Sequence, residues 1–226
     1  DVAPSRGLGD VYKRQILGER MILKEDSTEQ KLRGAYYTPL KLAEKMVDFF
    51  KKDASIKSIL EPSCGDGVFV DALVETQFLT QNRKVTAIEI EKNEAQKVAE
   101  KLKNNPNVSV VNRDFFEFYQ KYKDINKYDM ILGNPPYIRY QYLEEKQRME
   151  MAEILTSHGM KANKLINTWV GFMVACVHML SDNGKIAFVI PAEILQVAYA
   201  EDLRLFLSNK LSKITLLTFD PSNGLE

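Results

Sequence analysis

Leu60-Glu61-Pro62-Ser63-Cys64-Gly65-Asp66-Gly67 follows a short apolar run that begins at Ile56, and it precedes a helical pattern carried by Phe69, Leu73 and Val74. That order predicts a strand, a glycine loop and a helix. A dinucleotide-binding loop of this kind needs a third glycine or alanine three residues past the second, and Val70 stands there instead. Glu61 and Asp66 would also repel a pyrophosphate, whereas they suit a ligand carrying a sulfonium and a protonated amino group. The loop, with Ser63, Gly65, Asp66 and Gly67, is therefore read as a site for S-adenosyl-L-methionine rather than NAD. An ordinary turn is the other reading of a lone Gly-x-Gly. Glu89 and Ile90, at the end of the next apolar run and about 20 residues on, favour the ligand site, because a carboxylate there can accept bonds from both ribose hydroxyls.

Working outward, Leu40 to Phe50 places Leu40, Ala43, Met46, Val47 and Phe50 on one helical face, with Thr38 as the expected N-cap and Pro39 as the first helical residue. Downstream, Val85 to Ile90 predicts a strand, Lys92 to Leu102 a helix and Val108 to Asn112 a strand. Tyr128 to Leu132 predicts a further strand and Leu165 to Leu180 a largely buried helix. Asn183-Gly184 turns into a strand from Lys185 to Ile190, Glu193 to Leu207 is helical, and Ile214 to Phe219 is expected as a sixth strand. Such alternation predicts an α/β protein with a Rossmann-like, doubly wound, mostly parallel sheet. Ligands bind such sheets at the carboxyl ends of the strands, where Glu61, Glu89, Asp114 and Asn134 all fall.

Asp114 can accept a hydrogen bond from an adenine amino group while Phe115 packs on the ring; a helix cap and a core aromatic are the other reading of the same pair. After the fourth strand comes Asn134-Pro135-Pro136-Tyr137. Two prolines hold the backbone extended and remove two amide donors, so the Pro135 carbonyl has no sheet partner. An amine conjugated to an aromatic ring is a weak nucleophile. The Asn134 side-chain oxygen and the Pro135 carbonyl can each accept one of its N–H groups and turn its lone pair toward a methyl donor. Tyr137 offers a face on which a planar base can stack.

The bulk properties restrict the partners. The 226 residues carry 31 basic and 31 acidic side chains, so no overall positive field attracts nucleic acid, and a local patch must do so. Lys121, Lys123, Lys127, Arg139, Lys146 and Arg148 flank the Asn-Pro-Pro-Tyr segment, but a solvated surface is the favoured reading of them. Cys64 and Cys176 read as small buried residues, and His158 and His178 lack metal-ligand spacing, so no metal site is expected. The longest apolar stretch, Trp169 to Leu180, is too short to span a bilayer, and a cytoplasmic location is expected. Asp10-Val11-Tyr12-Lys13-Arg14-Gln15 resembles a translated sequencing adapter, so residues 1–15 are set aside from fold reasoning. Residues 1–32 form a lead-in, and 33–226 a catalytic domain expected to be incomplete at its carboxy end.

Taken together, Gly34-Ala35-Tyr36-Tyr37-Thr38-Pro39, the Leu60–Gly67 loop, Glu89, Asp114-Phe115 and Gly133-Asn134-Pro135-Pro136-Tyr137 resemble the gamma-class adenine-N6 DNA methyltransferases of bacterial restriction-modification systems. The resemblance covers Arg33 to Phe219. It implies that Tyr37, Thr38 and Glu61 lie at the methionine part of the cofactor, Glu89 and Ile90 at the ribose end, and Asp114 and Phe115 at the adenine. It implies that Asn134, Pro135 and Tyr137 act on an adenine flipped from double-stranded DNA. A second stacking aromatic and a target-recognition region, usual in the family, are not identifiable here, and a restriction endonuclease or specificity partner is an expected companion. A protein-glutamine N5-methyltransferase, a ribosomal RNA base methyltransferase and a non-catalytic cofactor-binding remnant are the alternatives.

Overall fold

Apolar side chains that alternate along a strand must find cover on both faces of the sheet, and here each strand divides its residues between two cores. In the computed structural model, which describes residues 38–162, 166–195 and 200–218, Ile59 of β1 (Ser58–Glu61) faces one core and Leu60 the other. Val85 and Ala87 of β2 (Lys84–Glu89) join Ile59, while Ile88 joins Leu60. β4 (Tyr128–Gly133) likewise sends Met130 and Leu132 one way and Ile131 the other. With β3 (Val108–Asn112) and β5 (Leu180–Phe188) these strands form a five-stranded sheet in the order β3-β2-β1-β4-β5, every neighbouring pair parallel.

One face is covered by α1 (Leu40–Asp48), α2 (Val68–Glu75) and α3 (Lys92–Lys101), which bring Val47, Phe69, Leu73 and Val98 onto it. The other is covered by α4 (Phe115–Tyr122), α5 (Glu145–Ser157), α6 (Thr168–His178) and α7 (Glu201–Lys210). α6 is buried from Thr168 to Val177, a helix apolar all round, and the absence of a side chain at Gly171 admits the Met151 side chain of α5. Among the described residues no helix is long and apolar enough to cross a membrane.

Three expectations change. The run from Ile214 to Thr218 lies outside any strand, with Ile214, Leu216 and Leu217 about half exposed, and Phe219 lies outside the described residues. Its β-branched residues supply propensity, but no strand among those described pairs with them, and propensity without a ladder does not make a strand. β5 starts at Leu180 rather than Lys185, because the Asn183-Gly184 turn is absorbed as a bulge: Tyr128 pairs with Leu180 and Met130 already with Lys185. Gly184 is needed there, since a Cβ would stand 2.8 Å from the Tyr128 carbonyl oxygen. Of the predicted Glu193–Leu207 helix, the described residues show a 3-10 turn at Ala192–Leu195 in place of an α-helical start, and α7 from Glu201; residues 196–199 lie outside the described residues.

Arg83 is a buried residue that motif reading passes over. Its guanidinium donates to the carbonyls of Asp53 (2.8 Å), Ile56 (3.2 Å) and Phe78 (2.8 Å) and stacks 3.9 Å over the Phe78 ring. These bonds tie the segment entering β1 to the one entering β2. Arg83→Met keeps the packing but leaves three carbonyls without their donor, and urea unfolding is expected to show a loss of about 2–4 kcal/mol.

Candidate active site

The strand order reverses between β1 and β4, and the crevice at such a reversal is where an open α/β sheet receives its ligand. Glu61 ends β1 there. It is 0% exposed, and neither carboxylate oxygen has a hydrogen-bond partner among the described residues. Burial first, and then the nearby charges of Asp66, Glu89 and Asp71, hold its pKa well above the ordinary carboxylate value. A buried carboxylate left unpaired costs several kcal/mol, and a cationic ligand is the group that offsets such a cost.

The loop after Glu61 passes through two left-handed residues, Gly65 (φ +53°) and Gly67 (φ +86°). They serve different ends. A Cβ on Gly65 would meet nothing within 4 Å, so the backbone is open to a ligand, whereas a Cβ on Gly67 would lie 3.1 Å from both methyls of Val98. Gly67 makes room for α3 and opens α2 as its N-cap. Cys64 extends the sheet, donating its N–H to the Ile88 carbonyl at 2.8 Å. Both Cys64 and Cys176 are buried free thiols whose pKa desolvation raises, as inert core residues require.

Glu89, buried at the end of β2, accepts from the Gly65 N–H through Oε2 and from the Glu91 N–H through Oε1, each at 2.8 Å. Desolvation raises its pKa against the opposing pull of those two amides. One lone pair on each oxygen is left for a ligand. Ile90 follows with 53% of its surface exposed, and its carbonyl is anchored by the Asn112 side-chain amide at 2.9 Å.

At the end of β3, Asp114 caps α4: Oδ1 accepts from Phe116 N–H at 2.7 Å and Glu117 N–H at 3.4 Å, and Oδ2 accepts from Gln147 Nε2 at 2.6 Å. Phe115 does not present an open face. It is 3% exposed, with its ring centroid 4.6 Å from that of Phe172, because the first turn of α4 points inward at this position. Of the two readings of this pair, the core aromatic describes Phe115, and the cap describes one oxygen of Asp114.

Asn134 stands where β4 ends. Its Nδ2 donates to Thr38 Oγ at 3.2 Å, and its Oδ1 accepts from the Tyr137 hydroxyl at 2.5 Å. Thr38 is therefore not the cap of α1, which Pro39 occupies without a side-chain bond; its oxygen is engaged by Asn134 instead. The Ser63 hydroxyl donates to the Asn134 carbonyl at 3.3 Å, joining the glycine loop to the Asn-Pro-Pro-Tyr turn. Tyr137 also reaches the Val189 carbonyl at 3.0 Å, and its single proton serves one of the two oxygens at a time. Thr38, Glu61, Ser63, Gly65, Asp66, Glu89, Ile90, Asp114 and the Asn134–Tyr137 turn all stand at the carboxyl side of the sheet or in the segments joined to it. Tyr37 lies outside the described residues.

Four of the six flanking cations are engaged locally. Lys146 pairs with Glu117, Arg148 donates to the Leu143 carbonyl, Lys127 to the His178 carbonyl and Lys123 to Gln120. His158 and His178 lie edge to face, and His178 Nδ1 meets the Tyr119 hydroxyl at 2.8 Å. Among the described residues no cluster of histidine, cysteine or acidic side chains could hold a metal.

Residues 15–223 match the Eco57I restriction-modification methylase family. The chain belongs to that family. It is 30% identical over 205 residues to the Type II methyltransferase M.AccI of Acinetobacter calcoaceticus, a match covering 89% of this chain and 36% of that protein. It is also 30% identical over 189 residues to the Type II methyltransferase M.HincII of Haemophilus influenzae, covering 84% and 34%. This methylase-family chain thus spans about a third of the length of these relatives. Its fold matches the type I restriction-modification methyltransferase subunit of Streptococcus thermophilus with a TM-score of 0.64 at 18% identity, over 79% of this chain and 39% of that one.

Two contacts in this chain have no signal in the sequence. The Thr38–Asn134 bond joins residues 96 apart and the Gln147–Asp114 bond residues 33 apart. No local signal marks either, since Glu144, not a serine, threonine, asparagine or aspartate, precedes α5.

Proposed function

We propose that the chain is the cofactor-binding and catalytic core of a DNA methyltransferase that moves the methyl group of S-adenosyl-L-methionine to N6 of an adenine flipped out of duplex DNA. The observation that carries this reading is the unpaired, fully buried Glu61 carboxylate at the same strand reversal as Asn134. A cationic ligand and an amine-handling amide therefore meet in one crevice.

When bound, S-adenosyl-L-methionine supplies an electrophilic methyl on a sulfonium. Glu61 faces the positive end of the ligand, and the open backbone at Gly65 lets it approach. Glu89 receives the ribose hydroxyls on its remaining lone pairs. Asp114 receives the adenine amino group, and half-exposed Ile90, rather than Phe115, supplies the apolar surface beside it. Asn134 Oδ1 and the Pro135 carbonyl each accept an N–H of the target amine, making its nitrogen more tetrahedral. Methyl transfer would release the neutral thioether and leave the nitrogen positively charged with both its protons, which are then acidic; one passes to water, so no strong base is required beforehand. Tyr137 turns from Val189 and Asn134 to lie against the base.

A glutamine amide presents a similar delocalised nitrogen, and Asn134 alone does not separate the two substrates. The Type II methyltransferases among the relatives favour DNA. A cytoplasmic location and a partner restriction endonuclease follow from that assignment. Calorimetric titration of this chain with S-adenosyl-L-methionine tests the cofactor half: one site per chain is expected, and a folded chain that binds none contradicts the proposal.

A further inference from the structure

Gln147 lies outside every motif that identifies the site, one turn into α5. Its Oε1 accepts the Glu144 N–H at 3.2 Å and its Nε2 donates to Asp114 Oδ2 at 2.6 Å. The first bond decides which end of the amide faces Asp114, and the second holds the carboxylate. Since Oδ1 is engaged by the first amides of α4, the two oxygens of Asp114 have separate duties and the group does not rotate. α5 is kept against α4 by the Lys146–Glu117 pair beside this contact. One turn further on, Glu150 carries a buried Oε2 without a partner, and burial raises its pKa, so Asp114 shares its surroundings with a second carboxylate.

We propose that Gln147 is a positioning residue that sets cofactor specificity, holding Asp114 Oδ2 so that its remaining lone pair faces the N6 amino group of the cofactor's adenine. The inference rests on the reading of Asp114 as the adenine-binding carboxylate. An apolar residue at 147 would free Asp114 to turn away. A carboxylate there would repel it.

The test is calorimetric titration of this chain, unmodified and as Gln147→Met and Gln147→Glu, with S-adenosylhomocysteine and with S-inosylhomocysteine, which carries a carbonyl in place of the amino group. The unmodified chain is expected to prefer the adenosyl ligand. Gln147→Met should weaken adenosyl binding by about tenfold, the effect of losing one hydrogen bond to a charged group. Inosyl binding should change by less than about twofold. Gln147→Glu, which puts a carboxylate in place of the donor, should lose the preference. Thermal melting identifies a variant that does not fold, and the other variant then decides. Equal losses for both ligands, or an adenosyl affinity that does not change, overturn the proposal. An unmodified chain that binds neither ligand overturns instead the cofactor reading beneath it.

Discussion

Asn134→Ala is expected to slow methyl transfer by at least about 10²–10³-fold in the protein expressed from the complete reading frame, the scale seen when one preorganised transition-state partner is removed. Affinity for S-adenosyl-L-methionine should stay within about threefold, so the loss appears in the single-turnover rate and not in cofactor binding. The amide of Asn134 is held at both ends. Its nitrogen donates to Thr38 and its oxygen accepts from the Tyr137 hydroxyl. The Asn134 oxygen is the acceptor that the target amine needs once Tyr137 turns to the base, and alanine removes it while leaving the Pro135 carbonyl in place. Rapid-quench measurement of labelled methyl, beside calorimetry with the cofactor, separates the two effects. A rate within tenfold of the unmodified enzyme would show that the chemistry does not pass through Asn134.

Glu61→Gln carries the other large effect, and it points in opposite directions for stability and for binding. Glu61 is buried with no partner, and desolvation, followed by repulsion from Asp66 and Glu89, lifts its pKa well above its ordinary 4.5. The folded chain therefore holds a proton there more firmly than the unfolded chain does. By linkage, the contribution of this group to stability is fully present below about pH 4.5 and is lost as pH rises through the folded pKa. Glutamine imitates the protonated form at every pH. The variant should be more stable than the natural chain at pH 8 by about 1–4 kcal/mol, with the gap closing as the solution is acidified toward pH 4.5. The same change removes the charge that faces the ligand, and cofactor affinity should fall by about 10–100-fold. Paired urea melts across pH with cofactor titrations check both. A variant that is less stable at pH 8, or that binds the cofactor as tightly, would remove Glu61 from the account.

The sheet was legible because its strands split their apolar residues between two faces. Ile59 against Leu60, and Met130 and Leu132 against Ile131, need two helical layers, and the helices between them are spaced to supply both. The places of the candidate residues were legible where they are set locally: Glu61 at a glycine loop, Glu89 and Asp114 at strand ends, Asn134 before two prolines. What failed depended on partners. Ile214 to Thr218 has strand propensity but no ladder among the described residues, and Thr38 has a cap's side chain but spends it on Asn134. Phe115 has a stacking ring, yet its direction is set by α4 packing on Phe172. Arg83 and Gln147 are ordinary residues in sequence, and only folding brings them to the carbonyls and the carboxylate they serve.

The substrate is the claim on which the rest depends, and the position of the transferred methyl decides it. The protein from the complete reading frame is incubated with labelled S-adenosyl-L-methionine and a mixture of duplex DNA, RNA and cell protein, and each fraction is digested and analysed by mass spectrometry. The account predicts label in N6-methyladenine from the DNA, absent with Asn134→Ala. Label in protein glutamine or in RNA, with none in DNA, would contradict it.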